Sequence, residues 1–185
     1  MLKNSESGYG WVHRLFHWIM AILIVGMLCV GLFMADLNSD IPDERKLKIL
    51  LTGLHKATGM LVLSLVLLRL IWRWANTRPP LPDSVPNWQR IAARVSHVTL
   101  YLLMLAMPVT GYLMSSFAGR DVDVYGLFTI PGMFERKISI AKQFHEIHEV
   151  LASVLIALLV VHAAAAIKHH FYDKDRVLRR MLTGD

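Results

Sequence analysis

The chain of 185 residues contains one cysteine, Cys29. That excludes an intrachain disulfide, a thiolate metal cluster and a C-x-x-C-H motif for covalent cofactor attachment. Cys29 reads as a small apolar filler in the first hydrophobic segment. Charge is also scarce, at 18% of residues against 55% hydrophobic, and the mean hydropathy is +0.44. That balance lies outside the range of a soluble domain and points to an integral membrane protein. Internal repeats and low-complexity tracts are lacking as well.

What the chain has is long apolar runs. Four segments, about 15–35, 53–74, 97–117 and 147–169, approach the length of about 20 residues that crosses a hydrocarbon core of about 30 Å. The expected fold is an all-α membrane protein, a four-helix up-down bundle forming one domain over 1–185. The first segment is too long for a signal-peptide core and lacks a small-x-small cleavage site before the charged stretch Asp36–Lys48, so it is read as a true span. That stretch, with Pro42, is expected to be a loop leading into a short amphipathic helix before His55. Pro108 and Gly111 predict a kink in the third span. The loop GRDVDVYGLFTIPGMFERKISIAKQ is expected to form a lid at the periplasmic surface, and the proline-rich TRPPLPDSVPNW to be extended.

Basic residues set the orientation. Placing the N-terminus, the loop between spans two and three and the C-terminus on one side collects twelve of the 20 basic residues and five of the 14 acidic ones, a net +7 that includes Arg78, Asp83 and Asp185. The other side holds eight bases and nine acids, a net −1. Both termini are therefore expected in the cytoplasm. Topology accounts for the overall charge of +6, with no nucleic-acid partner required.

Ionisable groups inside spans are costly and mark function. His148 and His162 lie fourteen residues apart in one span. At about 100° per residue they share a face to within roughly 40°, separated by about 21 Å along the axis. His17 belongs near the cytoplasmic end of span one and His55 at the periplasmic end of span two. Depth thus pairs His17 with His162 and His55 with His148. Two imidazole pairs without carboxylates or thiolates suit two haems with bis-histidine ligation better than zinc, which needs a third protein ligand for a catalytic site. Four residues after each histidine stand Ala21, Gly59, Ala152 and Ala166, small enough for a macrocycle to approach the helix.

Other residues take supporting roles. Arg69, fourteen residues after His55, and Arg14, three before His17, are candidate partners for haem propionates. His97, Lys168 and His169 are candidates for a quinone site, with His169 about 10 Å beyond His162 along the helix. His13 and His145 fall at span edges and are read as interfacial.

The motifs FHW at Phe16–Trp18, LHKATG at Leu54–Gly59, LLRLIWR at Leu67–Arg73, PVTGYLMS at Pro108–Ser115, EIHE at Glu146–Glu149 and HAAAAIKHHFYDKD at His162–Asp175 together resemble the bacterial cytochrome b-561 family across nearly the whole chain. The resemblance implies a four-helix inner-membrane cytochrome with two haem b, ligated by His17, His55, His148 and His162. It also implies electron transfer from periplasmic superoxide to ubiquinone, with His169 in the quinone site. An anionic donor would be steered by positive charge, for which Lys56, Arg120, Lys137 and Lys142 are the candidates. Rival readings are a quinol-oxidising subunit that feeds a periplasmic redox protein and a non-redox haem- or metal-binding membrane protein.

Overall fold

A computed structural model describes residues 1–77, 79–82 and 85–184. Arg78, Asp83 and Asp185 of the charge count, with the part of TRPPLPDSVPNW at 78, 83 and 84, lie outside the described residues. Four long helices dominate: α1 (Trp11–Asp36), α2 (Pro42–Trp74), α3 (Asn87–Phe117) and α4 (Ile138–Phe171). Each is long and apolar enough to cross a membrane. A short α5 (Val177–Leu182) follows, and β1 (Val122–Val124) pairs antiparallel with β2 (Phe128–Ile130), Asp123 opposite Thr129. The four-helix membrane architecture expected from hydropathy is present. Large apolar side chains such as Ile22 (72% exposed) and Val160 (63%) stand on the outside, as they do when lipid is the solvent.

The helices are longer than the apolar runs, because hydropathy marks only the part that fits hydrocarbon. The expected loop and separate short helix at 36–48 are corrected: α2 starts at Pro42 and runs unbroken through His55. Pro42 suits a first helical position, and Asp43 and Glu44 complement the positive helix end. Glu44 also accepts the Asn38 backbone N–H at 2.7 Å. Span three likewise starts at Asn87 rather than about His97, so His97 lies well inside α3, which continues through Pro108.

The chain divides into two compact units, and every long helix contributes to both. Unit 1 comprises Met1–Met20, Leu65–Leu103 and Val154–Asp185, with Met20, Val66 and Leu155 in its core. The N-terminal segment is tied in by the Asn4 amide, which donates to Thr77 O at 2.8 Å. The C-terminal helix is tied in by Trp18 Nε1, which donates to Met181 O at 2.9 Å. Unit 2 comprises Ala21–Ser64 and Met104–Ser153, with Ala57, Val122 and Ser116 buried. Its hairpin turns through Tyr125 (φ 56) and Gly126 (φ 70), the left-handed pair that matches strand twist in a tight hairpin. The Tyr125 hydroxyl bonds Thr58 Oγ1 on α2 at 2.8 Å.

Candidate metal centres

In unit 2, α2 brings His55 to His148 of α4 with ring centres 6.4 Å apart. In unit 1, α1 brings His17 to His162 of α4 at 6.3 Å. All four rings are half-buried. A metal bound by two imidazoles on opposite sides separates their centres by two metal–nitrogen bonds of about 2.0 Å and two ring radii of about 1.1 Å, close to 6.2 Å in all. Both pairs therefore stand at the separation one shared iron requires.

Neighbouring helices clear the space. A Cβ at Gly31 of α1 would lie 3.4 Å from His55 Cε1, and one at Gly111 of α3 would lie 3.4 Å from His148 Cε1. Sequence spacing pointed instead to small residues on the ligands' own helices; of these, Gly59 faces only the Met27 methyl at 3.8 Å. Glycines that matter to a ring on another helix carry no spacing signal.

The two pairs differ in how Nδ1 is held. Thr110, buried on α3, lies 3.0 Å from His148 Nδ1, and its Oγ1 is 2.9 Å from the carbonyls of Ala106 and Met107. The single hydroxyl hydrogen goes to a carbonyl, so the oxygen accepts from His148 Nδ1–H. Nε2 then keeps its lone pair for a metal. Thr110 was missed as a site residue, although the quoted PVTG motif contains it. In unit 1, Arg69 Nη2 lies 3.1 Å from His17 Nδ1. A guanidinium only donates, so Nδ1 accepts and the hydrogen sits on Nε2, the tautomer opposite to that at His148.

Arg69 is otherwise short of partners. Its Nε is buried without a hydrogen bond, its guanidinium lies over the Tyr101 ring at 5.6 Å, and among the described residues it forms no ion pair with a carboxylate. A half-buried cation in that condition calls for an anion. His97 joins the same group, its ring 5.6 Å from that of His162. Arg14 donates to Leu182 O at 2.6 Å and keeps a buried, unpartnered Nε. His13, expected at the interface, is buried and stacks on Tyr9 at 4.6 Å. Burial raises the Tyr9 phenol above its ordinary pKa, against the pull of Arg73 and Arg180. His145 lies in the open, 3.5 Å from Glu149.

At the end of α4, Lys168 Nζ donates to both oxygens of Asp173 at 2.6 and 2.7 Å. His169 Nδ1 is 2.5 Å from Asp175 Oδ2 and 3.3 Å from Asp173 Oδ2.

The sequence matches the family model described as prokaryotic cytochrome b561 over residues 8–184. The chain belongs to that family. Cytochrome b561 homolog 2 of Escherichia coli (strain K12) is 37% identical over 180 residues, covering 97% of this chain and 93% of that protein. A probable superoxide oxidase CybB of Yersinia pestis is 26% identical over 169 residues, 90% of each. A probable Ni/Fe-hydrogenase B-type cytochrome subunit of Rhizobium leguminosarum bv. viciae is 23% identical over 205 aligned positions, covering 93% and 84%. This member of the cytochrome b561 family is thus a multi-pass protein of the bacterial inner membrane that binds haem b and serves transmembrane electron transfer. Its donor set fits that group: imidazoles at bis-histidine spacing and a cation lacking an anion.

Proposed function

We propose that the chain holds two haem b, one between His55 and His148 and one between His17 and His162, and acts as a superoxide:ubiquinone oxidoreductase. The observation that carries the two-centre reading is the pair of ring separations, 6.4 and 6.3 Å. When bound, haem supplies a one-electron couple at each pair. The residues supply the ligand geometry. Thr110 holds His148 with Nε2 free. His17 would hold the group through Nε2, with its ring hydrogen then on Nδ1, and Arg69 beside it would offer its guanidinium to a propionate. In the net reaction two superoxide ions become two dioxygen molecules, and ubiquinone takes two electrons and two protons. The termini lie in the cytoplasm, with His169, Lys168 and His97 toward the quinone and the His55/His148 pair toward the periplasm.

The superoxide donor is supported by the named CybB relative and by charge in unit 2. A cavity of about 490 Å3 is lined by Arg45, Lys48 and Arg120, with Asp40 the one acid among the described residues that line it. A second, of about 200 Å3, sets Lys56, beside His55 in sequence, against Asp121 and Asp123, so the positive charge is concentrated in the first. Arg45 and Lys48 thus join Lys56 and Arg120 of the expected set, whereas Lys137 and Lys142 line neither cavity. The second reading, a quinol-oxidising subunit that exchanges electrons with a separate redox protein, is supported by the relative named as a hydrogenase cytochrome subunit.

The test mixes superoxide with purified protein and ubiquinone. Haem reduction faster in the wild type than in His148→Ala supports the superoxide reading. Equal rates remove it, and protein purified without haem removes the redox reading altogether.

A further inference from the structure

The C-terminal turn folds a carboxylate back onto His169. Asp175 Oδ2 lies 2.5 Å from His169 Nδ1, and its other oxygen, Oδ1, accepts the Val177 backbone N–H at 2.9 Å. The carboxylate is thereby held at both ends, and its side chain is only 8% exposed, against 15% for His169 and 25% for Asp173. Asp173, the other acid near Nδ1, is engaged through both oxygens by Lys168. An ionised carboxylate only accepts, so Nδ1 carries its hydrogen toward Asp175. Nε2 is then the nitrogen left free to donate, and among the described residues it has no hydrogen-bond partner. A carboxylate on one imidazole nitrogen sets the tautomer and aim of the ring and balances charge when the other nitrogen is protonated.

Resting on the quinone reading above, we propose that Asp175 is the positioning residue of proton delivery to the quinone: it holds His169 so that Nε2 donates one of the two protons the quinone takes up. In that step the Nε2–H bond breaks and an O–H bond forms at a quinone oxygen carrying the incoming electron. The ring is left neutral, with Nδ1–H still on Asp175, and Nε2 recovers a proton from water after quinol leaves. The second proton goes to the other quinone oxygen from another source. Lys168, paired with Asp173, lies outside the step, as do Lys174 and Arg176 of the same turn.

The experiment uses haem-loaded wild type, Asp175→Asn, His169→Gln and the double variant. Each is reduced anaerobically with dithionite and mixed with a short-chain ubiquinone while haem absorption is followed. Asparagine retains an oxygen for the Val177 cap but can present an N–H to Nδ1, so the tautomer is no longer imposed. Positioned proton transfer contributes on the order of 10²-fold or more. The expected result for Asp175→Asn is a limiting re-oxidation rate reduced at least about tenfold, with the half-saturating quinone concentration and the haem spectrum unchanged. His169→Gln should lose as much, and the double variant no more, because the two side chains act as one unit. A purely structural Asp175 would lower haem content instead of splitting rate from half-saturation. Should Asp175→Asn not hold haem, His169→Gln, which leaves the cap in place, decides. An Asp175→Asn rate equal to wild type, an undiminished His169→Gln rate, or multiplying losses overturns the proposal. Wild type that ubiquinone does not re-oxidise overturns the quinone reading itself, and this inference with it.

Discussion

The two histidine pairs have nearly equal ring separations, 6.4 Å in unit 2 and 6.3 Å in unit 1, yet opposite arrangements at Nδ1. At His148 a threonine hydroxyl accepts, so the ring presents the nitrogen lone pair a metal needs before any metal arrives. At His17 an arginine donates, and the tautomer must exchange when a metal binds. On the proposed reading, His148 is a ligand held ready by a neutral hydrogen bond, and His17 one whose neighbour Arg69 would serve the cofactor's anion. Equal ligand spacing thus need not mean equal assembly or equal redox behaviour.

Replacing a ligand breaks the comparison most completely. His148→Ala is expected to halve bound haem, measured as the haem-to-protein ratio, with the unit 1 centre retained; loss of both would show that the centres do not assemble separately. Arg69→Leu acts on unit 1 alone. A hydrogen bond to a charged group contributes about 1.5–3 kcal/mol, so retention at the His17/His162 centre should fall roughly ten- to a hundredfold in a haem-transfer assay, with the unit 2 centre unaffected. Thr110→Val removes the acceptor at His148 while keeping the side-chain shape. Loss of such a partner costs about ten- to a hundredfold in metal affinity, here in unit 2, and Thr110→Ser should restore most of it. The smallest effect is expected from Gly111→Ala. Its Cβ would lie 3.4 Å from His148 Cε1, at the near edge of ordinary van der Waals contact, so a slight turn of the ring should appear as a small change in the low-spin electron resonance signal with haem content kept. An unchanged signal would mean that the ring has slack.

Much of the architecture was legible because it is local. Four apolar runs of spanning length and the fourteen-residue spacing of His148 and His162 follow from side-chain hydropathy and the helical repeat, and the structure pairs the same four histidines. Helix ends were not legible. Polar flanks such as Pro42–Thr52 and Asn87–Ser96 remain helical beyond the apolar window, since hydrogen bonding within a helix does not end where hydrocarbon does. His97 was consequently placed at a helix end, although it lies within α3 close to His162.

By itself, the sequence determined which helices exist, which of their faces carry imidazoles and which family the chain joins. All of these depend on residue types at fixed short intervals. Only the tertiary structure decided what each imidazole meets: Thr110 at His148, Arg69 at His17, Gly31 and Gly111 beside the rings of unit 2, and Asp175 against His169. The helix contacts arise between residues 24 to 52 positions apart, brought within reach by packing of separate helices. Asp175 is only six residues from His169, but its approach depends on the turn that ends α4. A helical repeat places side chains along one axis; it cannot specify which atom of another segment will stand a hydrogen bond away.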